Sequence, residues 1–152
     1  MLHEGDVAPE FELESDAGRH VRLGDLRGRR VVLYFYPKDD TSGCTTEACG
    51  FRDVRDELDA RDAVVLGVSP DSRESHARFR SKYGLNFTLL ADPERTAARA
   101  YGVWGVKKMY GREYEGVHRT TFVIGPDGRV ERIYRKVKPA SHAAEVLADL
   151  DS

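Results

Sequence analysis

Between Val31 and Ser69 the sequence passes from one buried-strand pattern to another through a stretch of helical periodicity, an alternation that few folds accommodate. Val31-Val-Leu-Tyr-Phe-Tyr36 is a continuous β-branched and aromatic run, which predicts a strand covered on both faces and stopped by Pro37. Residues from about Cys44 to Ala60 carry Phe51, Val54 and Leu58 at helical spacing among charged residues, so they read as one amphipathic helix. Ala63-Val-Val-Leu-Gly-Val-Ser69 is the next buried strand. Strand, helix and strand joined by short connections make a right-handed crossover. Both strands are therefore expected to run parallel and to end at one edge, where Pro37 to Cys44 lies.

A helix near Ser72 to Tyr83, a short strand near Phe87 to Leu90 and a helix near Pro93 to Tyr101 follow. Thr120-Thr-Phe-Val-Ile124 and Val130-Glu-Arg-Ile-Tyr134 then flank Gly125-Pro-Asp-Gly128, whose proline and glycine suit a tight reversal. Ala140 to Leu150 is a last amphipathic helix. A βαβ unit joined to a ββα unit around one mixed sheet predicts an α/β, thioredoxin-like fold, extended by an N-terminal hairpin and an inserted helix. With 40% apolar and 33% charged residues, the 152-residue chain is expected to form a single domain over 1–152 with one substantial core.

A net charge of −2 provides no general attraction for nucleic acid or anionic lipid, and Arg27-Gly-Arg29-Arg30 reads as a solvated turn. Val31 to Tyr36, the longest apolar run, is far too short to cross a bilayer. Met1-Leu-His-Glu-Gly-Asp6 has neither a basic start nor an apolar stretch, so a cytoplasmic protein without membrane partners is expected. The histidines at 3, 20, 76, 118 and 142 are scattered without ligand spacing, and no metal or other cofactor is expected.

Chemistry concentrates on Cys44 and Cys49, the only cysteines. Two are too few for a secreted disulfide scaffold, and a nearby pair in a reducing compartment is more often catalytic or redox-active. Cys44 falls where a strand turns into a helix. Unpaired N–H groups and the positive end of the helix dipole favour a thiolate there. An unperturbed thiol is only a few per cent ionised at neutral pH, so full ionisation raises its rate by roughly 30-fold, or about 2 kcal/mol. Faster attack also needs donors against developing charge, and Thr41, the N–H groups from Thr41 to Cys44, and Arg119 at the start of a strand are the candidates. The competing readings are a small buried hydrophobe for Cys44 and a solvated strand cap for Arg119.

In one regular helix, residues 44 and 49 would have Cα atoms roughly 8.6 Å apart. Bridged cysteines rarely exceed about 7 Å. A static disulfide is thus disfavoured: either the pair alternates between a helical dithiol and a locally unwound disulfide, or Cys49 is a bystander in the core.

Pro37-x-x-x-Thr41-x-x-Cys44 resembles the active-site motif of peroxiredoxins, and Cys44-Thr-Thr-Glu-Ala-Cys49-Gly-Phe-Arg-Asp53 is similar to the bacterioferritin comigratory protein, or peroxiredoxin Q, subfamily. Similarity continues through Gly5-Asp-x-Ala-Pro9-x-Phe-x-Leu13, Tyr101-Gly-Val-Trp-Gly-Val-Lys-Lys-Met109, Arg119-Thr-Thr-Phe122 and Gly125-Pro-Asp-Gly128. The resemblance implies that Cys44 is the peroxidatic cysteine and Cys49 the resolving one. It further implies that Thr41 hydrogen-bonds peroxide and thiolate, that Pro37 shields the pocket, and that Arg119 polarises the peroxide. A hydroperoxide would then oxidise Cys44 to a sulfenic acid, Cys49 would condense with it, and thioredoxin or a similar dithiol would reduce the disulfide, all within a monomer and without a cofactor.

Glu47, one turn after Cys44, either orients Arg119 or compensates the helix dipole. Trp104, Lys107, Lys108 and Met109 read as packing and solvated surface, and Val106 stands where the subfamily usually has an acidic residue. Two other functions fit a thioredoxin-like fold. A thiol–disulfide oxidoreductase would act on protein disulfides, but such enzymes typically use Cys-x-x-Cys. A binding module would leave both cysteines structural and slow toward peroxide.

Overall fold

The computed structural model describes residues 1–151; Ser152, the last residue of the domain expected over 1–152, lies outside them. The strands are β1 (Glu12–Ser15), β2 (His20–Arg22), β3 (Arg30–Phe35), β4 (Ala63–Ser69), β5 (Thr88–Ala91), β6 (Trp104–Met109), β7 (Arg112–Val117), β8 (Thr120–Ile124) and β9 (Val130–Tyr134). The helices are α1 (Ser42–Asp53), α2 (Arg55–Ala60), α3 (Arg73–Tyr83), α4 (Thr96–Ala100) and α5 (His142–Leu150).

Seven strands form one mixed sheet in the order β2-β1-β5-β4-β3-β8-β9. β3 is interior, parallel to β4 and antiparallel to β8, and alternate side chains of its apolar run enter different cores. Val31, Leu33 and Phe35 join Tyr101 and Phe122 on one face. Val32, Tyr34 and Tyr36 join Phe51, Leu58 and Phe79 on the other, beneath the helices and Cys44. Tyr34 stacks on Phe51 of α1 at 5.0 Å, and Phe51 meets the ring of His142 on α5 edge-on at 5.7 Å. Truncating Phe51 to alanine would open a cavity between those rings at a cost of about 3–5 kcal/mol.

Both βαβ crossovers are parallel, β3 to β4 and β4 to β5, while β8 and β9 form the expected antiparallel pair around a turn in which Gly128 N–H donates to Gly125 O at 2.9 Å. The N-terminal hairpin β1–β2 joins the sheet through β1 and β5. Ser72 caps α3, its hydroxyl accepting from Ser75 N–H at 3.1 Å.

Two features differ from expectation. The helix read from Cys44 to Ala60 breaks at Val54, whose φ of −109° and ψ of 16° leave the α region. The apolar period of Phe51, Val54 and Leu58 continues through the break, and both Phe51 and Leu58 remain fully buried. The other is a second, two-stranded sheet, β6–β7, in the segment for which no element was expected. Its turn residues Tyr110 and Gly111 have φ of 52° and 77°, as a type I′ hairpin requires. Among the described residues, no helix is long and apolar enough to cross a membrane.

Candidate active site

Strand register brings the site together. Phe35, the last residue of β3, pairs with Thr120, the first of β8. The chain leaving β3 therefore passes the chain entering β8 at one edge of the sheet. Tyr36 and the Pro37–Thr41 loop leave there and α1 begins at Ser42, while Arg119 immediately precedes β8. Residues 75 apart in sequence thus meet: Arg119 Nη2 donates to Cys44 Sγ at 3.2 Å.

Cys44 is the third residue of α1 and only 1% exposed. Thr41 takes the N-cap position with extended backbone (φ −94°, ψ 159°), and its carbonyl accepts from Thr45 N–H at 2.8 Å. The Thr41 hydroxyl does not cap the helix; it donates to Lys38 O at 3.0 Å, which leaves its lone pairs free to accept. N–H groups of the first helical turn therefore lack a side-chain cap and remain available to an incoming anion, and Arg119 adds its positive charge at Sγ. Pro37 is half-buried on the same loop, directly after the end of the β3 run.

Gly43 leaves room for the guanidinium beside the helix start. A Cβ there would lie 3.2 Å from Arg119 Nη2 and 3.5 Å from Pro139 Cγ. Sequence reasoning missed this residue, because glycine in a first helical turn has no signal until the facing arginine is placed.

Behind Arg119 lies Glu47, whose Oε1 accepts from Nη1 at 2.6 Å. Glu47 is thus a partner of Arg119 and not only a dipole-compensating charge. It is 1% exposed, and its Oε2 has no hydrogen-bond partner among the described residues. Burial pushes its carboxyl up to about 7, against the pull of Arg119 in the other direction. Burial also lowers the Arg119 guanidinium, but Cys44 and Glu47 more than offset that, and it stays above its ordinary value and fully charged.

The hairpin adds a cation that the sequence reading had assigned to solvated surface. Lys107 is half-buried, and its Nζ donates to Val117 O at 2.9 Å, two residues before Arg119. Burial and the neighbouring Arg119 hold its ammonium below the usual lysine range, with Cys44 opposing. Lys108 is exposed as expected, whereas Met109, read as packing, is exposed, as is Val106; Trp104 donates to Glu115 Oε2 at 2.8 Å and lies under the Arg95 guanidinium at 5.0 Å.

Cys49 is half-buried on α1, and both cysteines are free thiols. With 44 and 49 inside one helix, a bond between them requires α1 to unwind, since five helical residues separate Cα atoms by about 8.6 Å. α5 packs along α1, its His142 ring edge-on to Phe51.

Residues 5–133 match the AhpC/TSA family. Peroxiredoxin Bcp of Bacillus subtilis is 51% identical over 146 residues, which cover 96% of this chain and 93% of that protein. Peroxiredoxin Bcp of Escherichia coli is 45% identical, covering 96% and 94% respectively. Among solved structures, Xanthomonas campestris peroxiredoxin Q superposes with a TM-score of 0.89 at 42% identity, over 93% of this chain and 89% of that one. A mutant of Xylella fastidiosa PrxQ reaches a TM-score of 0.93 at 36% identity, over 99% and 96%. With the thioredoxin-like sheet and the Cys44–Arg119 contact in place, these likenesses settle the family: the chain belongs to AhpC/TSA and is a thiol peroxidase of its Bcp/peroxiredoxin Q branch.

Proposed function

We propose that Cys44 is the peroxidatic residue of this peroxidase and Cys49 its resolving partner. The observation that carries the reading is the 3.2 Å contact between Arg119 Nη2 and Cys44 Sγ at the start of α1. The Cys44 thiolate attacks the terminal oxygen of a hydroperoxide; an S–O bond forms, the O–O bond breaks, and the departing oxide takes a proton to leave as water or an alcohol. Arg119 and the N–H groups of the first turn stabilise charge as it moves between the oxygens, while the Thr41 hydroxyl, its hydrogen held by Lys38 O, accepts from the peroxide O–H. Pro37 screens the loop side. The Cys49 thiolate then displaces hydroxide from the sulfenic sulfur, which closes the disulfide as α1 unwinds.

A dithiol reductant completes the cycle by exchange, and thioredoxin is the expected donor. Resolution within one chain needs no second subunit, so we read the active form as a monomer of one domain spanning 1–152. Two cysteines are too few for a secreted disulfide scaffold, and we place the protein in the cytoplasm. Solved Xanthomonas campestris bacterioferritin comigratory protein is described by its alkyl peroxide reduction activity, which supports organic hydroperoxides beside hydrogen peroxide as substrates. A protein disulfide is a poor substrate for this site, because Cys44 is 1% exposed in the dithiol form.

Dithiol-dependent consumption of hydrogen peroxide and of an organic hydroperoxide tests the assignment. Wild type should turn over, and Cys44→Ser should not; undiminished turnover by Cys44→Ser overturns it.

A further inference from the structure

The loop that precedes Cys44 is fastened from behind by α3 through two consecutive aspartates. Asp39 is 8% exposed. Its Oδ1 accepts from Tyr36 Oη at 2.6 Å, and its Oδ2 accepts from Ser75 Oγ at 2.8 Å and lies 2.7 Å from His76 Nδ1. Its N–H donates to Asp71 Oδ2 at 2.7 Å, an oxygen that also accepts from Ser69 Oγ at 2.8 Å. Asp40, at φ 58°, accepts from Lys82 Nζ at 2.7 Å and Tyr83 Oη at 2.6 Å. One helix thereby grips the two residues immediately before Thr41.

Asp39, Asp71 and His76 hold possible ligand atoms within 4.8 Å of one another. Both Asp39 oxygens and both His76 nitrogens are engaged by protein groups, so the cluster serves as a fastening.

His76 is fully buried, and its two ring nitrogens do separate work. Nε2 lies 2.9 Å from Leu90 O, which only accepts, so Nε2 carries a hydrogen and ties the ring to β5. Nδ1 lies 2.7 Å from Asp39 Oδ2 and ties the loop to the ring. Such an anchor is needed because α1 must unwind directly after this loop for residue 44 to reach 49. Peroxide attack in turn demands that Thr41 and the helix start stay fixed.

We propose that His76 is a positioning residue for the peroxide step: through Asp39 it holds the Pro37–Thr41 loop against α3, so that the site keeps its geometry while α1 beyond it remains free to open. This rests on the peroxidatic reading of Cys44 and extends it from the groups that touch Sγ to those that hold the loop.

Two substitutions separate the ring nitrogens. His76→Asn places an amide N–H near Nδ1 and keeps the bond to Asp39; His76→Gln places one near Nε2 and keeps only the bond to Leu90. Each loses one hydrogen bond, so a purely structural role would affect both alike. Stopped flow on the prereduced protein resolves second-order oxidation of Cys44 by hydrogen peroxide from first-order disulfide closure. His76→Gln should slow oxidation at least about tenfold with closure unslowed, while His76→Asn should stay within about threefold of wild type. Equal slowing of both variants, or of neither, overturns the proposal. If either variant fails to fold, Lys82→Met with Tyr83→Phe loosens the exposed half of the same fastening; slower oxidation supports the anchor, and an unchanged rate overturns it. Wild type inert toward peroxide would overturn the Cys44 reading instead.

Discussion

Arg119 and Glu47 are joined by a 2.6 Å hydrogen bond at the buried end of the guanidinium whose other nitrogen reaches Cys44. Glu47 titrates near 7 in the fold, against about 4.5 for a free carboxyl. Between those values the folded state keeps a proton that the unfolded state has released, so stability falls as pH rises through this window. Taking 1.36 kcal/mol per unit, the loss amounts to about 3 kcal/mol, present in full above pH 7 and absent below 4.5. Glu47→Gln has no such titration. Denaturant unfolding of both proteins at pH 4.5 and 7.5 should show wild type losing about 3 kcal/mol relative to the variant; a pH-independent difference would count against the buried, proton-holding carboxyl.

Arg119 supplies a fork that meets sulfur and carboxylate at once, which a point charge cannot copy. Arg119→Met should reduce the second-order rate of Cys44 oxidation by about 10²–10³-fold, in the range for removal of one donor to developing oxyanion charge. Arg119→Lys should recover part of that loss. Peroxide titration by stopped flow reads both, and a methionine variant as fast as wild type would remove Arg119 from the site.

The Thr41 hydroxyl already donates to Lys38 O, so its role toward the site is as an acceptor. Thr41→Ser keeps that oxygen and should retain most of the oxidation rate. Thr41→Val should lose about tenfold or more with stability changed by less than about 1 kcal/mol, because the residue is exposed and makes no side-chain cap. Equal rates for the serine and valine variants would assign the hydroxyl to loop structure alone.

Disulfide closure should unwind the start of α1. Hydrogen exchange on reduced and peroxide-oxidised protein should show amides from Thr45 to Gly50 losing protection on oxidation, while β3 and β8 keep theirs. Unchanged protection of α1 in a protein carrying the disulfide would contradict the geometric argument.

Much of the site was legible because its parts are fixed by long-period rules. Apolar runs at 31–36 and 63–69 with a helix between them place strand ends at one edge, and Arg119 stands just before a run that becomes β8. The break at Val54 left no trace, since a hydrophobic period passes through a kink whenever both halves bury the same side. The β6–β7 hairpin was hidden by Lys107 and Lys108 in its strand and by a turn that puts tyrosine, not asparagine, at positive φ. Lys107 read as surface because its burial comes from that hairpin. Asp39 and His76 lie 37 residues apart on a loop and a helix, so their contact has no local signature.

The central claim is that one peroxide equivalent oxidises Cys44 and that Cys49 then closes on it. Mass spectrometry of prereduced wild type and Cys49→Ser after one equivalent of hydrogen peroxide tests it most directly. Wild type should lose two hydrogens to an internal disulfide between residues 44 and 49, and Cys49→Ser should carry one added oxygen on Cys44. Recovery of both proteins with unmodified thiols, or of the added oxygen on Cys49 in wild type, would contradict the account.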